Sequence, residues 1–221
     1  RPRYAWKRDT AFLGHAEQRE LVKAGKLKSD EGWLQMRDVT TDKLFEGHGG
    51  SVYWNDFRRR WVMIAQGKPG EIWFAEADTP VGPWVYARQI VAHDQYNFYN
   101  PTQHPFFDQD GGRLIYFEGT YTAEFSGAPS KTPRYDYNQI MYRLDLADPR
   151  LALPAPVYLV KGKDGLRRHL MREGVEAGKA WEQIQQVAFF AVPPSGQTNG
   201  LVPCYARPDA DGWVLRCDLP P

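Results

Sequence analysis

The sequence of 221 residues predicts an all-β chain: a β-propeller of four-stranded antiparallel blades, incomplete, with two full blades, part of a third and a short N-terminal helix. Three observations predict it. Short apolar runs alternate with Gly, Pro and Asp turns from residue 46 onward. The same strand-and-turn order recurs every ~40–60 residues, and sheets of that size bury their faces by stacking on copies of themselves. The only extended helical pattern before position 165 lies near the N-terminus. A β-sandwich also uses strands at short spacing, but the matching internal order of the sets favours the propeller.

Residues 1–45 read as a helical or irregular lead-in. Leu13, Leu21, Val22 and Leu27 are separated by charged residues and Gly25 interrupts, which predicts one helix over 16–24. Residues 46–92 form the first blade, with strands Ser51–Asn55, Arg60–Gln66, Glu71–Asp78 and Trp84–Val91. Asp56-Phe57-Arg58, Lys68-Pro69-Gly70 and Thr79-Pro80-Val81-Gly82-Pro83 turn the chain between them. Residues 97–161 form the second, with Pro101–Asp108, Arg113–Gly119, Gln139–Leu146 and Pro156–Val160. Residues 162–221 read as a helical insertion and a partial blade of Val187–Val192, Leu201–Ala206 and Trp213–Leu219, all within a single propeller-like domain.

A formal net charge of +1 with no long basic run removes the main electrostatic contribution to nucleic-acid binding. No apolar run reaches the ~20 residues of a membrane-spanning helix. Cys204 and Cys217 flank the turn Asp209–Gly212, so a hairpin there sets them opposite each other and allows a disulfide, a weak vote for export. The start Arg1-Pro2-Arg3 carries neither Met nor an apolar leader, which suggests a processed product or part of a longer chain. The aromatic content of 14%, with 20 Gly and 17 Pro, suits tight turns and leaves aromatic surface for a ligand.

The run Glu71-Ile72-Trp73-Phe74-Ala75-Glu76-Ala77-Asp78-Thr79-Pro80-Val81-Gly82-Pro83-Trp84 resembles the strand and turn of five-bladed propeller glycosidases related to glycoside hydrolase family 43. Tyr99-Asn100-Pro101 through Asp108-Gln109-Asp110-Gly111-Gly112 to Phe117 is similar to that family's next innermost strand and hairpin. Gly50–Asn55 with Arg60–Ile64 resembles the blade before it, so the likeness covers residues 47–160. It implies a secreted, cell-surface or periplasmic carbohydrate-active protein, with a structural calcium ion as the one cofactor that the family suggests. The sequence itself offers no HExxH or paired CxxC for a metal. It also departs from the family pattern. Asn100 stands where the family has the Asp that tunes its acid, and an amide cannot titrate. Nothing in residues 1–45 matches the strand that carries the family's base. The acid's position falls near Glu182, with Glu173 or Glu176 fitting equally.

Strand ends in successive hairpins gather Asn100, Gln103, His104, Glu118, Thr120, Tyr135, Asp136 and Asn138 with His48, Gly49, Ser51 and Gln66 at one polar mouth. Glycosidic cleavage needs a proton donor and a second carboxylate. Glu118, after an apolar strand, or Glu182 is the expected donor and Asp136 the second carboxylate. His48, Asn100, Gln103, His104, Tyr121 and Tyr135 are the expected sugar-binding groups, the tyrosines lying on or beside the long loop 119–136. Two other readings remain open: a glycan-binding propeller without catalysis, and a structural or interaction propeller. The shortage of blades leaves open sheet edges, which missing blades or a second copy of the chain would cover.

Overall fold

The first helix forms where the interrupted apolar pattern expects it. In the computed structural model, α1 (His15–Lys23) begins as Glu17 Oε2 accepts the Gly14 N–H at 3.0 Å, and Gly25 leaves it at φ 67°. The structure describes residues 8–9, 11, 13–192, 204–209 and 212–216 and resolves into two units, Arg1–Leu151 and Ala152–Pro221. The fold is mostly β, and among the described residues no helix is long and apolar enough to cross a membrane.

In the first unit, β1 (Gln35–Asp38) and β2 (Leu44–Glu46) pair within the segment expected to be irregular. The meander follows as expected in β3 (His48–Asn55), β4 (Arg60–Gln66), β5 (Glu71–Ala77) and β6 (Tyr86–Ala92). β1 lies parallel to β6 and extends the sheet to six strands, in the order β2-β1-β6-β5-β4-β3. The lead-in strands escape a local reading because β1 is short and pairs with residues about fifty positions away. Met36 is the one residue of β1 and β2 that is fully buried.

β7 (Asn97–Gln103), β8 (Leu114–Thr122) and β9 (Tyr137–Asp145) form a second sheet of three strands; β7 lies earlier than the expected Pro101–Asp108, because Pro105 opens a 3-10 turn over Pro105–Phe107 that ends the strand. The strand expected to complete it, residues 156–160, is instead β10 (Ala155–Lys161) of the second unit. There it is central between β11 (Arg167–Leu170) and β12 (Ile184–Ala191). Val157, Tyr158 and Val160 are all buried, and a strand apolar on both faces suits a sheet centre better than an exposed edge. α2 (Arg172–Ala177) contributes Val175 to a core with Tyr158, Val160, Leu170 and Ala180. The expected hairpin is present as β13 (Tyr205–Asp209) and β14 (Gly212–Arg216), in register Tyr205↔Arg216. Cys204 is disulfide-bonded; Cys217, the other cysteine of the sequence, lies outside the described residues, as do 201–203 and 218–219 of the expected strands.

The six-stranded sheet buries both faces at its centre. On one, Met63, Ala65, Trp73, Ala75 and Ala77 pack with Met36, Trp84 and Ala87. The other presents Val62, Ile64, Ile72 and Phe74, and β7 lies against β3, β4 and β5. Four side chains of β3, β4 and their turn bond to the main chain of the second sheet. Ser51 Oγ accepts the Gln103 N–H at 2.8 Å, and Gln66 Oε1 accepts the Asn100 N–H at 3.3 Å. Asn55 Nδ2 donates to Gly112 O at 2.7 Å and Arg58 Nη1 to Leu146 O at 3.3 Å.

Arg58 also makes a bidentate pair with Glu76, Nε to Oε1 at 2.5 Å and Nη2 to Oε2 at 3.0 Å. Desolvation works against its charge, yet the hydrogen bond and charge of Glu76 outweigh it and raise its pKa. The Glu76 side chain is 6% exposed, so removing the cation strands a buried carboxylate. Arg58→Met is therefore expected to cost about 3 kcal/mol, within the range for breaking a buried pair, as read from urea unfolding. A loss below about 0.5 kcal/mol, typical of an exposed pair, would contradict this placement.

Candidate functional site: the outward face of the second sheet

The geometry of the site starts from an irregularity in β7. Tyr99 pairs with Thr120 and Thr102 with Glu118, so Asn100 and Pro101 bulge opposite Gly119. Asn100 sits at φ 52°, a conformation that Asn tolerates better than most residues. A Cβ on Gly119 would meet the Phe98 ring at 2.6 Å, so the close strand contact beside the bulge needs glycine there. The bulge shifts the alternation by one, which turns both Tyr99 and Thr102 to the same face.

That face carries cross-strand rows read directly from the register: Asn97–Thr122–Tyr137, Tyr99–Thr120–Gln139 and Thr102–Glu118–Met141. The main-chain bond from His104 N to Tyr116 O extends it to His104, Tyr116 and Arg143. The rows are wired together. The Tyr137 hydroxyl bonds Tyr99 and donates to Glu124 Oε2 at 2.8 Å, and these two hydrogen bonds, the first most of all, push the Tyr137 pKa up. Gln139 Nε2 donates to Thr120 Oγ1 at 3.1 Å. His104 Nε2 stands 3.2 Å from Glu118 Oε1. Thr102, Tyr137, Gln139, Met141 and Arg143 are exposed, and Phe106 and Phe107 continue the surface past His104, Phe106 being 75% exposed.

Of the expected site residues, the structure brings His104 and Glu118 together on this face, with Thr120 two positions along β8. It does not give Glu118 the expected second carboxylate. Met141 is opposite Glu118, and Asp136 lies five positions before Met141, about 16 Å along an extended strand. Glycosidases need roughly 5–9.5 Å between their carboxyl groups. Asp136 instead pairs with Lys131 at 3.1 Å. Glu182 is exposed in the second unit, where Glu176 is held by Arg172.

The single polar mouth is not assembled as expected. Gln103 points to the inner side of its sheet and is 1% exposed, with neither amide atom hydrogen-bonded within the described residues. Ser51 and Gln66 are engaged as ties between the sheets, and His48 is exposed opposite Gln66. Tyr135 is exposed and its carbonyl accepts from Asn138 Nδ2 at 2.6 Å. Tyr121 lies on the inner side, 4.8 Å from the His93 ring and 5.4 Å from Tyr96. Among the described residues no three His, Cys, Asp or Glu side chains are grouped to hold a metal ion.

Sequence reasoning missed Tyr99 as a member of the face because the bulge at Asn100 inverts the parity that a regular strand would give; Gln139 joins the face through the regular β8–β9 register opposite Thr120. It also missed His93. Its Nε2 is 2.9 Å from Tyr142 OH, and its ring packs on Phe98 and Tyr121. Burial lowers the His93 pKa, with Asp94 pulling the other way; Tyr121 and Tyr142 are titratable groups that touch the ring. A base whose folded pKa is depressed stabilises the fold fully above its unfolded value, about 6.5, and loses that contribution progressively as pH falls below it. Urea unfolding at pH 7.5 and pH 5 should therefore show a larger loss of stability for the native chain than for His93→Gln. Equal losses would refute the assignment.

Compared with protein-family models, curated proteins and solved structures, the chain matches none.

Proposed function

We propose that the chain is a carbohydrate-binding protein of propeller-like build, with the outward face of β7, β8 and β9 as its glycan platform. The observation that carries this is the face itself: a wired, open array of Tyr99, Tyr137, Gln139, Thr102, Glu118 and His104. Amide, hydroxyl, carboxylate and imidazole groups at strand spacing offer donors and acceptors to sugar hydroxyls, while the tyrosine rings and Phe106 offer apolar faces to sugar C–H groups. Tyr99 bonds Tyr137, Gln139 bonds Thr120 and Glu118 stands beside His104, so these side chains lose less rotamer entropy on binding than free ones would.

The blade reading is supported by the meander β3–β6 and by the way the first strands of the two sheets meet through Ser51 and Gln103. The second sheet would be a three-stranded blade. Binding without catalysis is favoured over hydrolysis by the strand spacing between Glu118 and Asp136. Export to the cell surface or periplasm fits the disulfide at Cys204.

The test is a panel of neutral and acidic polysaccharides presented to the intact protein, with binding read by calorimetry and reducing ends measured over days. Binding without release of reducing ends is expected. Gln139→Ala and Glu118→Ala should each weaken it about tenfold, the worth of one good hydrogen bond. Failure to bind any glycan, or binding untouched by both substitutions, would end the proposal. Release of reducing ends would replace it with hydrolysis.

A further inference from the structure

β9 is the feature that the proposed binding function leaves unused. Its inner edge pairs with β8 over nine consecutive positions, Leu114↔Asp145 to Thr122↔Tyr137, without a register shift. Among the described residues no strand hydrogen-bonds to its outer edge. Edge strands are normally guarded by Lys, Pro, bulges or shortness. Tyr137-Asn138-Gln139-Ile140-Met141-Tyr142-Arg143-Leu144-Asp145 has none of these guards, and its two charges both lie in the last three positions. By contrast, β3, β5, β7 and β10 each meet a register shift with a partner.

We infer that this edge is a dimerisation surface, on which β9 of one copy pairs antiparallel with β9 of a second across a two-fold axis at Met141. The sequence of the strand is complementary to itself in that register. Arg143 meets Gln139 and Asp145 meets Tyr137, so no like charges are opposed. On the other side of the sheet Ile140 meets Tyr142 twice, a β-branched and aromatic pairing of the kind that stabilises antiparallel strands. A pairing offset by two toward Tyr137, centred on Gln139, would set Arg143 against Tyr135 and leave Asp145 beyond the partner strand. Centring on Met141 engages all nine residues. The symmetry is that of an isologous contact, the commonest form of homodimer.

The arrangement joins two three-stranded sheets into one of six, and Tyr137, Gln139, Met141 and Arg143 of both copies then lie on a single continuous face. The dimer needs no ligand. Only its consequence, a doubled glycan platform with the gain in avidity that linked sites confer, rests on the proposed binding function. A strand pair alone buries less than the ~1,200 Å² of a stable complex, so the expected state is a concentration-dependent equilibrium.

Sedimentation velocity of the full chain from about 1 to 500 μM, without glycan, tests it directly; the upper limit corresponds to a binding free energy of roughly −4.5 kcal/mol. The native protein should shift from monomer to dimer across that range. Met141→Lys, which would oppose two ammonium groups at the axis, should remain monomeric while keeping its circular dichroism and unfolding midpoint, and Met141→Leu should dimerise as the native chain does. Met141→Cys should form an intermolecular disulfide on oxidation that the native chain does not form. A native protein monomeric at the highest concentration, or a dimer indifferent to Met141→Lys, would overturn the inference. A native chain that stays monomeric yet binds glycan would overturn the dimer and leave the binding proposal standing, and a native dimer that binds no glycan would do the reverse.

Discussion

The first unit depends on a set of polar ties laid across an apolar interface. Phe74, Ile64 and Ile72 on one sheet and Phe98, Phe117 and Ile115 on the other are all buried, and their burial supplies most of the favourable free energy. Apolar burial has no direction, however, and would allow one sheet to slide on the other. Ser51, Asn55, Arg58 and Gln66 remove that freedom, because each bonds a particular main-chain group of the second sheet. The ties span the length of β3 and β4, from Gln66 at one end to the Asn55 and Arg58 turn at the other. Their partners lie 34 to 88 positions away in sequence, so they fix global register rather than local shape.

One of those ties shapes the outward face as well. Gln66 holds the N–H of Asn100, the residue at positive φ within the bulge of β7. A bulge changes which side chains emerge on which face, and here it turns Tyr99 and Thr102 outward together while Gln103 turns inward. The inner sheet interface and the outer polar face are thus set by the same local distortion. Asn is suited to it because its short polar side chain tolerates the left-handed region.

Much of the fold is legible in the sequence, and the failures have a common cause. The helix, the meander β3–β6, strands β8 and β9 and the terminal hairpin follow from periodicity and turn chemistry, which are local, whereas β7 shares only Pro101–Gln103 with the strand expected over Pro101–Asp108. The lead-in strands β1 and β2 were invisible because β1 is anchored by pairing with Tyr86 and Ala87, far along the chain. The allocation of residues 155–161 to another sheet depended on Val157, Tyr158 and Val160 needing cover on both sides, a demand that only the tertiary arrangement reveals. At the site, proximity of His104 and Glu118 followed from simple hairpin geometry. The joint mouth did not form because polar residues near strand ends were assumed to face a ligand, whereas Ser51 and Gln66 face backbone. A buried hydrogen-bonding group is as readily claimed by an unpaired amide nearby as by a substrate.

The three-stranded form of the second sheet links its two open surfaces. A fourth strand beside β9 would have hidden the edge from Tyr137 to Asp145, and a connection back across the sheet would have crowded Thr102, Glu118 and Met141. The chain leaves after Leu146, whose N–H closes on Arg113 O at 2.8 Å, and among the described residues no strand pairs with β9 on the side away from β8. An edge left regular and almost uncharged over nine residues is a hazard in a monomer and an asset in an assembly. The lack of any Lys, Pro or bulge along it is easier to understand if pairing there is used than if it must be avoided.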